Sequence, residues 1–291
     1  MAMPPASAPQ ASLEVKGREA VLAALTSPDL IVPPAPPAPS PASLGWLRAS
    51  VARFHSGAEH VRSRSVLTAA LERADPDRLR EVARRRTAEL LDGATEVDLM
   101  AVAYAVPAAA LAEVLGLGDP GGDVAVVARL YLTGPADGES TVDEDAAVAR
   151  LVDAAGGQVD EETAAVVALL VQAYGATAAL IGNAFLGGGD VDRTVHDDPP
   201  TLATRRLATV DTSVDGIHIG AGEVVWVDLA SADLTFGAGP HACPGADQAK
   251  ALARGVLDAL AGATLAEDTV EYLPVRNVKA PTRLRVRLPH G

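Results

Sequence analysis

Phe236-Gly237-Ala238-Gly239-Pro240-His241-Ala242-Cys243-Pro244-Gly245-Ala246 is the stretch that decides the fold. Glycines at alternate positions let a loop approach a flat ligand closely, because no Cβ stands in the way. The pattern predicts an amphipathic helix from Pro244 to Ala261, so Cys243 lies at a helix start. Amide groups there favour an anionic sulfur, and a thiolate so placed is an accessible axial ligand. Heme with a cysteine thiolate suits that geometry. The competing reading is an inert thiol beside a glycine-rich turn.

Cys243 is the single cysteine of the 291-residue chain, which excludes an internal disulfide and any metal site built from several thiolates. The net charge of −14 opposes binding to nucleic acid and to anionic lipid surfaces, since no basic run is long enough to reverse it locally. No basic segment followed by an apolar one opens the chain, so a cytoplasmic location is expected, with the cysteine reduced. Thr163 to Gly189 carries no charge, which is long enough to cross a membrane. Its Ala and Gly content, with Gln172, Thr177 and Asn183, favours a helix buried through a protein core.

Working outward, residues 1–12 are rich in Pro, Ala and Ser and read as a mobile tail. A short helix is expected over Gly17 to Leu30, ended by the proline run from Pro33 to Pro39. Residues 1–43 thus form a tail, helix and loop before one domain at 44–291. Asp75-Pro76 is a helix start, with Leu79, Val82, Ala83 and Leu90 on one face and Gly93 as the stop. Further helices are expected at Asp98 to Leu117, bent by Pro107, at Asp123 to Leu132 and at Val142 to Ala155. Glu161 and Glu162 stand in the first turn of the long uncharged helix, where the helix dipole favours them. Leu207 to Val227 alternates between tight turns and reads as strands, as does Thr269 to Leu288. The fold class is mainly α with small β-sheets, an α+β arrangement.

Phe236, Gly237, Gly239, His241, Cys243 and Gly245 resemble the heme-ligand signature of the cytochromes P450, F-G-x-G-x-H-x-C-x-G. The resemblance implies a P450-like fold and heme b (iron protoporphyrin IX), with Cys243 as the metal ligand. Glu59 to Arg64 resembles the family segment in which a histidine and an arginine hold a propionate, and helical spacing puts His60 and Arg64 on one face. Thr204 to Thr209 resembles the strand whose arginine meets the other heme edge, which implies Arg206. His241 is expected beside them. Val270 to Pro274 resembles the terminal hairpin of the family.

The chain departs from the family at several places. Ala173-Tyr174-Gly175-Ala176-Thr177 stands at the oxygen-activating A-G-x-D/E-T motif. Thr177 matches the threonine, but the acid before it is Ala176, so proton delivery by that route is lost. Tyr174 replaces a glycine; it either crowds the pocket, supplies a hydroxyl, or packs in the core. Aligning Asp198-Pro199-Pro200 puts Arg193 and His196 where the E-x-x-R pair should be. A helix, the meander before the heme loop and the starting strands are expected to be missing. These losses fall where an electron donor docks, which argues against a redox partner, and they leave apolar surfaces that a homodimer would cover. The expected function is a heme-thiolate enzyme of specialised metabolism acting on a small molecule through peroxide, an N-oxygenated substrate or a non-redox step. The alternatives are a monooxygenase with compensated proton and electron delivery, and a silent auxiliary protein of an enzyme such as a glycosyltransferase.

Overall fold

The computed structural model describes residues 13–289 other than Pro39, Asp137, Gly138 and Asp268; the expected tail at 1–12 lies outside these residues. The chain begins with β1 (Glu14–Val15), α1 (Arg18–Thr26) and β2 (Leu30–Ile31). After the proline-rich segment come α2 (Leu44–Ala49), a 3-10 turn at Ala52–Phe54, α3 (Gly57–Leu71) and α4 (Pro76–Leu91). Strand β3 (Glu96–Asp98) leads into α5 (Leu99–Leu115), α6 (Asp123–Tyr131), α7 (Val142–Ala154), α8 (Glu161–Leu186) and the short α9 (Val191–Asp197). The sheet region holds β4 (Ala203–Ala208), β5 (Thr212–Val214), β6 (Ile217–Ile219) and β7 (Val224–Asp228). Helix α10 (Ala246–Ala259), β8 (Thr264–Leu265) and β9 (Arg285–Arg287) complete it.

The uncharged stretch becomes α8, capped by Asp160, whose carboxylate accepts from the Thr163 amide at 2.9 Å. It is long and apolar enough to cross a membrane, yet 72% of its most apolar window is buried inside the protein. Helices α3, α5, α6 and α10 pack around it. Each buried Leu, Ile or Val there contributes about 1.5–3 kcal/mol, so the helix is the spine of the main core.

Helix α4 begins as its sequence indicates, with Pro76 in the first turn and the Asp75 carboxylate accepting from the Arg78 amide at 2.8 Å. Its buried stripe runs through Leu79, Val82, Ala83, Thr87 and Leu91. Leu90, expected on that stripe, is 57% exposed, because the i, i+4 line through Thr87 carries the contact to Leu91. Helix α10 lies very close against α4. A Cβ on Gly255 would stand 2.2 Å from the Arg80 carbonyl oxygen and 2.8 Å from Ala83 Cβ.

One sheet has the order β1-β7-β4-β2, with β1 parallel to β7 and the other pairs antiparallel. The starting strands expected to be missing are therefore present, at two residues each. They escape detection because two residues carry no alternation, and their partners are remote in sequence. Helix α1 covers this sheet in a second core with Val21, Leu25, Leu30, Val225 and Val227. Strands β5 and β6 form the hairpin indicated by Asp215-Gly216, whose φ angles of 50° and 76° suit a primed turn. The strands expected over Thr269 to Leu288 are reduced to β9 and two isolated bridges, Thr201 with Val278 and Tyr272 with Pro281. Pro274 and Pro281 have no amide hydrogen and interrupt the ladder.

The α4–α10 contact yields a stability prediction. Gly255→Ala should cost about 1–3 kcal/mol, because a backbone oxygen cannot move aside as a side chain does. The urea midpoint should fall with an unchanged slope, and an unshifted midpoint would show that the helices are not held at this distance.

Candidate functional site

A cavity of about 630 Å³ opens between α8, α3, β4 and the loop that carries Cys243. That volume falls in the roughly 300–1,000 Å³ range of small-molecule and cofactor pockets. Its wall unites residues far apart in sequence: Arg64, Tyr174, Thr177, Arg206, Phe236, Gly237, His241, Cys243 and Gly245. Helix α8 is buried on either side of its middle turn, but Gln172 and Ala176 are exposed where they meet the cavity.

The cysteine loop is shaped by its own backbone. The Gly237 amide donates to the Leu234 carbonyl at 2.7 Å, and the Cys243 amide donates to the Phe236 carbonyl at 2.7 Å. Gly237 has φ of 71° and Gly239 has φ of 68°, a region in which other residues are strained. A Cβ on Gly239 would also stand 3.2 Å from the Leu25 carbonyl oxygen, so α1 backs the loop directly. On the other side, Arg64 Nη2 donates to the Ala242 carbonyl at 2.6 Å. Cys243 is exposed, with its surface on the cavity it lines. Surrounding protein pushes its thiol pKa up, against an opposing pull from the Gly245 amide and the Arg64 charge.

The wall is strongly one-sided in charge. Arg53, Arg64, Arg129 and Arg206 line it, and among the described residues no Asp or Glu does. Arg129 is paired with Glu144 and, at 3.0 Å, with Glu139. Among the described residues Arg64 and Arg206 have main-chain acceptors alone; Arg206 Nη1 donates to the Arg205 carbonyl at 2.9 Å. Arg206 is 3% exposed, and burial first, then the Arg53 charge, lowers its pKa to about 10.

His60 and His241 stack with ring centroids 3.9 Å apart. Burial, followed by the charges of His60, Arg206, Arg53 and Arg64, holds His241 down at about 3. Burial and then Arg64 and His55 lower His60 as well. His60 Nε2 is buried with no hydrogen-bond partner among the described residues.

Thr177 is buried apart from the surface it gives the cavity, and its hydroxyl makes no hydrogen bond among the described residues. Tyr174 packs on Tyr104 of α5, with centroids 4.8 Å apart and ring planes 32° apart. Burial raises the pKa of both phenols, so they keep their protons at neutral pH. Tyr104 and Arg53 are the wall residues that sequence reasoning missed. The available signals were a lone hydroxyl-bearing residue in an apolar helix and an arginine between the buried Ala52 and Phe54.

The positions matched to E-x-x-R lie on α9. Arg193 pairs with Asp197 of its own helix at 2.8 Å. His196 Nδ1 lies 2.7 Å from Asp233 Oδ1, tying α9 to the short turn that precedes Phe236.

No protein-family model matches the sequence, and no curated protein matches it. Solved structures do. The chain is similar to P450BioI, solved in complex with hexadec-9Z-enoic acid ligated acyl carrier protein, at 18% identity and TM-score 0.73, covering 94% of this chain and 91% of that one. It is similar to CalO2 at 20% identity and TM-score 0.74, covering 94% and 90%. It also resembles CYP109E1 from Bacillus megaterium in complex with testosterone, at 18% identity and TM-score 0.71, covering 94% and 91%. The chain has the cytochrome P450 fold.

The P450 fold implies a heme-iron cofactor, and the wall of this cavity fits one. Among the described residues no group of three or more His, Cys, Asp or Glu could hold a metal ion. A lone thiol binds iron firmly only when a macrocycle supplies the remaining ligands. The guanidinium groups without carboxylates call for an anionic, hydrogen-bonding ligand, which a heme with two carboxylates provides; His60, with its orphaned Nε2, stacks on His241 and is not itself in the wall.

Proposed function

We propose that this chain is a heme-thiolate oxidoreductase acting on a small apolar molecule, with Cys243 as the proximal ligand of heme b. The observation that carries this reading is the meeting of Cys243, unpaired cations and the middle of α8 in one cavity. His60, Arg64, Arg206 and His241 would hold the propionates, since charge-assisted hydrogen bonds offset the cost of keeping these groups out of water. Phe236, Gly237 and Gly245 would form the loop surface against the macrocycle. The apolar ligands named for P450BioI and CYP109E1 suit a wall built largely of aliphatic side chains.

When bound, heme supplies a redox-active iron with one open coordination position. Thr177 offers a free hydroxyl to a ligand in the cavity, and Ala176 beside it carries no proton. Tyr174 keeps a proton at Oη and can donate it in a hydrogen bond. The shortness of α9, seven residues, and of the 3-10 turn at Ala230–Ala232 supports an oxidant that needs no donor protein, such as peroxide, or a step without electron transfer. The hydroxyls of Thr177 and Tyr174 in one wall favour donor-driven monooxygenation as the second reading. A place in specialised metabolism is part of the proposal.

Cys243→Ser should abolish the thiolate-type spectrum of the reduced carbon monoxide complex, and an unchanged spectrum would remove Cys243 as the ligand. Arg64→Ala and Arg206→Ala should each weaken heme retention roughly tenfold or more, given about 1.5–3 kcal/mol for a hydrogen bond to a charged group. Heme-to-protein ratio after dialysis measures this, and two unaltered ratios would refute the propionate assignment. Product formation at equal heme content should proceed with peroxide or with no reductant, and poorly with an NADPH-driven redox chain. Strict dependence on that chain would favour the second reading.

A further inference from the structure

The cavity carries more positive charge than the proposed cofactor neutralises. Ferric iron, a porphyrin dianion and a thiolate sum to no net charge, which leaves two propionates as the anions. Arg64 and Arg206, with the stacked His60 and His241, meet those two. Arg53 is left over. Its guanidinium has five N–H donors and makes no hydrogen bond or ion pair among the described residues, although it borders the cavity.

The surroundings of Arg53 make that position costly without an anion. Its side chain lies over Phe54, with Cζ 5.9 Å from the ring centroid, and Arg48 stands over the same ring at 4.8 Å. Burial lowers the Arg53 pKa first, the neutral Tyr131 phenol is a close neighbour, and the Arg205 charge lowers it further. Arg206 and His241 feel its charge in turn. Arg48 is itself 8% exposed with an unpartnered Nε. A guanidinium among other cations, part of it withdrawn from water, is stabilised most by an anion in the space it faces. Much of the rest of that space is apolar, with Leu67, Leu111, Leu132, Leu169 and Leu273 in the wall beside scattered hydroxyl and amide groups.

We propose that Arg53 anchors the carboxylate of an otherwise aliphatic substrate, so that the cavity selects amphipathic acids over neutral molecules of the same length. A carboxylate matches the planar fork of a guanidinium in two parallel hydrogen bonds. This rests on the heme reading only in assigning Arg64 and Arg206 to the propionates.

The test compares dodecanoate with 1-dodecanol by calorimetric titration of hemin-loaded parent, Arg53→Gln and Arg53→Lys proteins, with heme-to-protein ratio measured on every sample. The parent should bind the acid at least tenfold more tightly than the alcohol. Arg53→Gln should reduce the acid to the affinity of the alcohol with its heme ratio unchanged, and Arg53→Lys should keep part of the preference. Equal affinities in the parent would overturn the proposal, as would an Arg53→Gln protein that sheds heme while still preferring the acid. A parent that takes up no heme would refute the cofactor reading. The acid preference measured on that same protein then decides the role of Arg53 separately: its loss in Arg53→Gln upholds the anchor, and its persistence overturns it.

Discussion

Guanidinium groups partly or wholly withdrawn from water favour an anion, and here three of them, Arg53, Arg64 and Arg206, face one cavity with no carboxylate among the described residues of its wall. The helices and strands around them are arranged to keep that imbalance. Arg206 comes from the interior of a four-stranded sheet, Arg64 from a helix packed on α8, and Arg53 from a turn locked by the buried Phe54. Arg206 is buried, while Arg53 and Arg64 are half-buried. The stacked imidazoles of His60 and His241 stand beside them, both lowered in pKa by burial first and by neighbouring charges second.

The cysteine loop is rigid for reasons that have little to do with the loop itself. Arg64 grips its Ala242 carbonyl from α3, α1 presses on Gly239 from behind, and His196 with Asp233 fastens the turn that leads into it. His196, at a position matched to the E-x-x-R pair, joins α9 to that turn through Asp233. Near the cysteine, the structure thus relies on contacts between separate elements instead of one long connecting segment.

What was legible in the sequence follows the range of the interaction concerned. The glycine spacing around Cys243 and the uncharged run that becomes α8 are local patterns, and each emerged where the sequence indicated; His60 and Arg64 share α3, but of the two Arg64 lies in the cavity wall and His60 does not. The Asp215-Gly216 hairpin is local too. β1 and β2 were not legible, because a two-residue strand is defined only by its partner. The prolines of the last segment were visible, but their effect on its ladder was underestimated. Arg53 could not be singled out, since its importance lies in the absence of acids across a whole cavity, which is a property of the tertiary structure.

The pairing of the first elements with β7 and the turn after it carries a consequence for synthesis. Gly17 and Arg18 hydrogen-bond to Ser231 and Ala232, 214 positions away, and β1 needs β7 to exist as a strand. On the ribosome the first of these residues wait for the last, with apolar Val15, Val21 and Leu25 uncovered in the meantime. The back of the cysteine loop cannot close until the chain past Gly239 has emerged. A nascent chain stalled before β7 would hold helices α3 to α8 without the wall that backs that loop.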